Sequence, residues 1–454
     1  MSKDEKFLMA MNTRYETILS VEEALSPPLP VTRVSRDETL FTLLRCLLNF
    51  GQHQLDFVTN ELPMDEKNQP DPRFRLAQDF NEFANKIRCD LDIISSAIHQ
   101  RTHETIVSNV NNLRYMSTLE NADTYAAMLL APAVHAGLIA PVTPITYYHP
   151  GFCARVIPYA PVALLGIPFA AATVPLDLAL IAHEVGHYVY SRMQAPGPDV
   201  AEIPAWMRAW WEEIFADVYG CLVGGPATAS ALLELQYGLE IEDLLYDDGE
   251  YPIPILRPTI CHATLQRMAH AAEKEGFIKE AAFLDERIAL LEAERAARFA
   301  EASGWDRVTL HHGQNIRVTD LDDQLNRAVD ILVSDRFLGQ LLPPNCAMNL
   351  WNTAVDSNCI GSSVIGATAT GRRQISAELV LEPNSAGAVM DHCGSFWYTE
   401  AGRTSPNPNL EAVNKCAVSH EEQFGWNLPW SAFFDAKSWA TKGPGPGNPQ
   451  PPVR

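Results

Sequence analysis

The chain has 454 residues, enough for two or three domains that each bury a core, and is therefore not a small stapled scaffold. Its 34 Lys and Arg against 56 Asp and Glu leave a formal charge of −22, which repels phosphate backbones and argues against a nucleic-acid partner. The nine cysteines are odd in number and hold no C-x-x-C pair, which points away from a thiolate zinc site and toward a reducing, cytoplasmic compartment.

The opening "MSKDEKFLMAMNTRYE" is charged and never develops the apolar run of a secretory signal. The first 144 residues read as a helical domain. Ser35 and Glu38 have capping-box spacing ahead of the apolar run "LFTLLRCLLNF". Between Arg73 and Gln100, Phe80, Phe83, Ile87, Leu91, Ile94 and Ile98 recur at steps of three and four, a stripe expected to pack into a bundle.

From Tyr147 the texture turns β-prone and proline-rich, "YYHPGFCARVIPYAPVALLGIP". Pro158 and Pro161 cannot donate to a ladder, so a strand here is expected at a sheet edge or with a bulge, where it can pair with an extended peptide. The apolar run Tyr159 to Ala182 imitates a membrane span but carries Pro161, Pro168, Pro175 and Asp177. It is expected to be a buried strand, a loop and the start of a helix, with no membrane span.

Helices are expected over 175–193, 204–222 and 226–246, with a long helical stretch over 260–302. After Gly304, "RVTLHHGQNIRV" has the pattern of a hairpin and "DLDDQLNRAVDILVSDRFLGQLL" that of a helix; 358–400 looks β-rich. These elements divide the chain into an N-terminal helical domain (1–144), a central domain (145–303), a mixed α/β accessory region (304–440) and a disordered Pro/Gly-rich tail (441–454). The fold class is α+β, mainly helical.

The chemistry concentrates in "LIAHEVGHYVYSR", residues 180 to 192. Thr173 as N-cap, Pro175 in the first turn and Asp177 near the positive end of the dipole predict a helix here. On it His183 and His187 lie one turn apart and can reach one Zn2+, while Glu184, rotated by about 100°, flanks the ion where a general base belongs. Gly186 inside the helix signals a close approach by a second backbone. Two histidines leave a tetrahedral catalytic zinc one protein ligand short. The next helix, "PAWMRAWWEEIFADVYGCLVGGP", supplies Glu213 for the ion and Asp217, one turn on, for a histidine N–H.

"HEVGH" followed by "EIFAD", 26 residues after His187, resembles the H-E-x-x-H plus E-x-x-x-D pattern of the gluzincin metallopeptidases, the thermolysin-like clan. The resemblance covers about residues 145 to 260. It implies a zincin-like core and one Zn2+ per chain held by His183, His187 and Glu213. It also implies Glu184 as base and proton shuttle, Asp217 orienting His183, and a cleft-lining edge strand within Arg155–Ile167. Some membrane-associated relatives carry a His-Pro and then an Arg after the zinc helices; here "YPIPILRP" puts Tyr251 where the histidine would be. Tyr251, Arg257 and His262 are therefore candidates to steady the oxyanion that develops in amide hydrolysis.

The function expected is zinc-dependent hydrolysis of a peptide or protein substrate, by a metalloendopeptidase whose access a protein partner or regulator controls through the surrounding sequence. Two alternatives stand beside it: a zinc hydrolase of small non-peptide amides, and a binding or scaffold protein with a relic zinc site, against which the retained Glu184 argues. Other clusters carry less. His311 and His312 are adjacent and diverge in a strand, and the acidic stretch from Glu240 to Glu250 lacks the spacing of a Ca2+ loop. Asp391, His392 and Cys393 have no second partner in view.

Overall fold

The computed structural model describes residues 36–56, 76–102, 110–140, 142–172, 175–193, 203–236, 239–298 and 306–342. Three helices open it: α1 (Arg36–Asp56), α2 (Leu76–Thr102) and α3 (Val110–His135). Strands β1 (Thr143–Tyr148), β2 (Cys153–Val156) and β3 (Val162–Ile167) follow, then α4 (Ile181–Arg192), α5 (Met207–Glu234), the short α6 (Ile241–Leu244), α7 (Arg257–Lys274) and α8 (Ile278–Arg298). The hairpin β4 (Arg307–Thr309) and β5 (Asn315–Arg317) and helix α9 (Val318–Leu332) complete the described chain, which is mainly helical. No helix among the described residues is long and apolar enough to cross a membrane.

The three-stranded sheet has the order β1-β3-β2, with β1 parallel and β2 antiparallel to β3. Every strand residue is buried, and the side-chain alternation sorts the residues between two cores. Ile145, Tyr147, Cys153, Val162 and Leu164 meet Leu43, Leu47, Ile87, Leu91, Ile94 and Ile98 of α1 and α2. Tyr148, Ala154, Val156, Leu165 and Ile167 face the larger core built with α3, α4, α5 and α7. The expected stripe on α2 therefore packs inward from Ile87 to Ile98; the side chains of Phe80 and Phe83 lie outside the described residues.

Polar ties hold these layers in register. Arg155 Nε on β2 donates to Asp90 Oδ1 of α2 at 2.6 Å, and Tyr159 Oη donates to Asp90 Oδ2 at 2.9 Å. Along β1, the Gln100 carboxamide takes both the N–H and the C=O of Tyr148, at 2.6 and 3.0 Å. Asp123 accepts from the Thr146 N–H at 2.6 Å and Arg101 donates to the Thr146 carbonyl at 2.6 Å. Side chains thus occupy the backbone groups that a further strand on β1 would need.

Several expectations shift. The segment expected to give one edge strand within Arg155–Ile167 forms the end of β2, a turn, and β3, which is the central strand and has partners on both sides. Pro158 and Pro161 sit in the connection, where no ladder N–H is needed. Residues Pro175–Leu180 wind as a 3-10 turn and the α-helix begins at Ile181; Leu180 is already in the helical region (φ −70°, ψ −18°), so no side-chain cap is used. Thr173 lies outside the described residues, as do Ser35, the segment 358–400, the tail and Asp391–Cys393.

Helices expected over 204–222 and 226–246 merge into α5, kinked at Gly225 (φ 66°) ahead of Pro226 and ended at Glu234. The long stretch over 260–302 breaks into α7 and α8 at Gly276. There a left-handed residue (φ 86°) lets Phe277 N–H reach the Ala272 carbonyl at 2.8 Å and close the helix end.

Candidate metal centre

Helices α4 and α5 cross in backbone contact. A Cβ on Gly186 would stand 2.7 Å from Ala216 Cα and 2.9 Å from its carbonyl oxygen, closer than carbon atoms can sit, so glycine is required for the helices to approach this far. Ala216 lies between Glu213 and Asp217, and the close crossing brings those two short side chains to the histidines.

His183, His187 and Glu213 are buried and offer ligand atoms that all lie within 4.8 Å of one another, a group that could hold a metal ion. The two Nε2 atoms are 3.1 Å apart, and each is 3.4 Å from a Glu213 carboxylate oxygen. The outer ring nitrogens are engaged: His183 Nδ1 lies 2.8 Å from Asp217 Oδ1 and His187 Nδ1 lies 3.2 Å from Glu212 Oε1. A carboxylate at Nδ1 fixes the proton there, so both neutral rings turn their Nε2 lone pairs toward one point. Lone pairs this close repel unless a cation or proton stands between them. The N, N, O donor set, with Glu213 Oε2 buried and lacking a hydrogen-bond partner, fits a divalent transition-metal ion.

The electrostatics agree with that geometry. Burial alone would lower the His187 pKa, yet Glu213 and Glu212 push it up to about 10. His183 is raised against burial by Asp217 and Glu213. Burial would raise Glu213, but the two histidines hold it well below the usual carboxylate range. Glu184 differs: burial raises it, the histidines only partly oppose that shift, and its Oε2 is buried without a hydrogen-bond partner. It is a carboxylate kept beside the ligand cluster and not consumed by it.

Arg257 enters from the start of α7 and grips Asp217 with two bonds, Nε to Oδ2 at 2.8 Å and Nη2 to Oδ1 at 2.9 Å. Its Nη2 also stands 3.3 Å from His183 Nε2 and 3.7 Å from Glu213 Oε2. Burial would depress the guanidinium, but Asp217 and Glu213 raise it. Asp217, which burial would raise, is lowered by Arg257 and His183.

Tyr251 is 36% exposed, and its phenol is pushed up to about 12 by burial and then by the charges of Glu213 and Glu184. Asp248 Oδ1 accepts from the N–H groups of Glu250 and Tyr251 and fixes that loop. His262 does not join the site: it faces α8, with Nε2 3.2 Å from Glu292 Oε1, because it lies five residues beyond Arg257 and so on a different helical face. Glu212, the partner of His187, was not among the expected site residues. Its only sequence signal is adjacency to Glu213 in "WWEEIF", and no spacing rule singles it out.

None of the family models, curated proteins or solved structures compared with the chain matches it.

Proposed function

We propose that the protein is a zinc-dependent peptidase of gluzincin type, with His183, His187 and Glu213 holding one Zn2+. The observation that carries this reading is Glu184, a buried carboxylate with an unpartnered oxygen beside a convergent N, N, O ligand set. A purely structural metal site has no use for it. Zinc bound there would polarise a substrate carbonyl and acidify a water molecule.

Glu184 takes the proton from the attacking water and delivers it to the leaving amine; its raised pKa brings it closer to the working range of a general base. Asp217 keeps the His183 proton on Nδ1, and Arg257, with both bonds on that carboxylate, holds Asp217 in place. Tyr251 is assigned the donor role toward the developing oxyanion, because its phenol already feels the charges of Glu213 and Glu184. β2 is the sheet edge that packs against the His-bearing helix, but its residues are buried, so the substrate is assigned no strand partner in this sheet.

The test combines metal analysis with proteome-wide cleavage profiling. Glu184→Gln is expected to keep its zinc and lose activity by about 10²–10⁴-fold. Zinc bound by both proteins with identical cleavage profiles would remove the peptidase reading. Activity confined to small amides would move the site to the alternative hydrolase class.

A further inference from the structure

A cleft of about 820 Å3 opens between the residues leading into α5, the β4–β5 hairpin and α9. In a chain of formal charge −22, three arginines line it, Arg307, Arg317 and Arg327, against one carboxylate, Asp320. Arg317 gives Nε and Nη2 to Asp320 at 2.9 and 2.7 Å, which leaves its Nη1 to a ligand. Arg307 uses Nε and Nη2 on Asn315, the latter at 2.9 Å from the carbonyl oxygen. Arg327 is exposed and has no ion pair or hydrogen bond among the described residues.

One wall atom has the opposite need. Gln324 Oε1 is buried without a hydrogen-bond partner, an acceptor waiting for an N–H. Trp206, packed edge-on against Trp210 at 4.9 Å, adds an aromatic wall. A ligand that suits all three features carries negative charge, an N–H donor and aliphatic stems. An acidic peptide has them; a phosphate group brings charge and an O–H donor but no aliphatic stem for the Trp206 wall.

We propose that this cleft binds an acidic segment of a peptide. Its further role as a substrate-selecting subsite rests on the peptidase reading above. Trp206 precedes Glu213 by seven residues, about 10 Å along the helix axis. An extended peptide rises about 3.3 Å per residue, so an acidic side chain about three positions from the bond to be cut would reach the cleft.

The experiment uses the full chain carrying Glu184→Gln and measures fluorescence anisotropy of a labelled peptide with three Glu residues, and of the same peptide with three Gln. The Glu peptide is expected to bind at least about tenfold tighter despite the negative charge of the protein, with the preference fading as salt rises. Arg327→Glu and Arg307→Glu, each with unchanged zinc content and circular dichroism, are expected to abolish it. Equal binding of the two peptides, or a Glu preference that survives both charge reversals, overturns the proposal. Inorganic phosphate displacing the peptide at lower concentration than a second acidic peptide would also overturn it, by reassigning the cleft. A preference that is lost on charge reversal, in a protein whose wild type cuts no peptide, upholds the cleft and removes only the peptidase reading.

Discussion

Among the described residues, two regions bury carboxylates against charged or titratable partners, and they balance charge differently. In the N-terminal layer each buried acid has its own guanidinium: Asp90 with Arg155 at 2.6 Å and Asp123 with Arg101 at 2.9 Å. Around the crossing of α4 and α5, three buried carboxylates, those of Glu184, Glu213 and Asp217, surround two imidazoles and the Arg257 guanidinium, whose hydrogen bonds go to Asp217, while the half-buried Glu212 meets His187 from outside. The first arrangement is complete in itself and joins helices to strands. The second is short of positive charge, and the histidines make up the difference by drawing protons, His187 most strongly. A buried site that must be protonated to be neutral is one that a cation can fill.

The sharpest way to break that comparison is to remove an arginine from each region. Arg155→Ala leaves the buried Asp90 carboxylate with the Tyr159 hydroxyl but without its guanidinium, and is expected to lower unfolding free energy by about 3–5 kcal/mol, with or without zinc. Arg257→Ala is expected to show a loss of similar size in metal-free protein and a visibly smaller one at saturating zinc, because the ion replaces part of the missing charge. Denaturant unfolding of both variants with and without zinc measures this; losses that ignore zinc in both would erase the distinction.

A smaller effect comes from the metal itself. Free zinc at about 100 times its dissociation constant should stabilise the wild type by about 2.7 kcal/mol, and chelation should reverse that gain. A midpoint unmoved by zinc and chelator would mean the cluster binds no zinc. The smallest expected change is Glu212→Gln, which keeps the shape of the His187 contact and weakens its charge. Zinc affinity, read by competition with a chromophoric chelator, should fall by about 10–100-fold; an unchanged affinity would limit the charge argument to Asp217 and Arg257.

Much of the site was legible because its geometry is local. One helical turn separates His183 from His187 and Glu213 from Asp217, so sequence spacing alone puts each pair on one face, and Gly186 marked where the two helices meet. Arg257 and Tyr251 were legible from their position after the acidic stretch and from the resemblance of "YPIPILRP" to a His-Pro-then-Arg pattern, and the fold decided the rest: Arg257 onto Asp217, His262 away from the cluster. Glu212 was missed because its contact with His187 depends on how α4 and α5 are rotated about each other, which no spacing records. The misread segment 155–167 has the same cause. A buried strand and an edge strand share one apolar texture, and only pairing tells β3 from β2.

The sequence by itself determined the periodic elements, the two carboxylate and histidine pairs, the charge balance and the lack of any apolar run without prolines long enough to span a membrane. These follow from helical pitch, side-chain chemistry and composition, which act within a few residues. Only the tertiary structure decided which edge of the sheet is covered, which carboxylates lack a matching cation, and where three arginines gather in an acidic chain. Those properties belong to groups dozens of residues apart, and burial, by removing water from between them, is what gives their charges consequence.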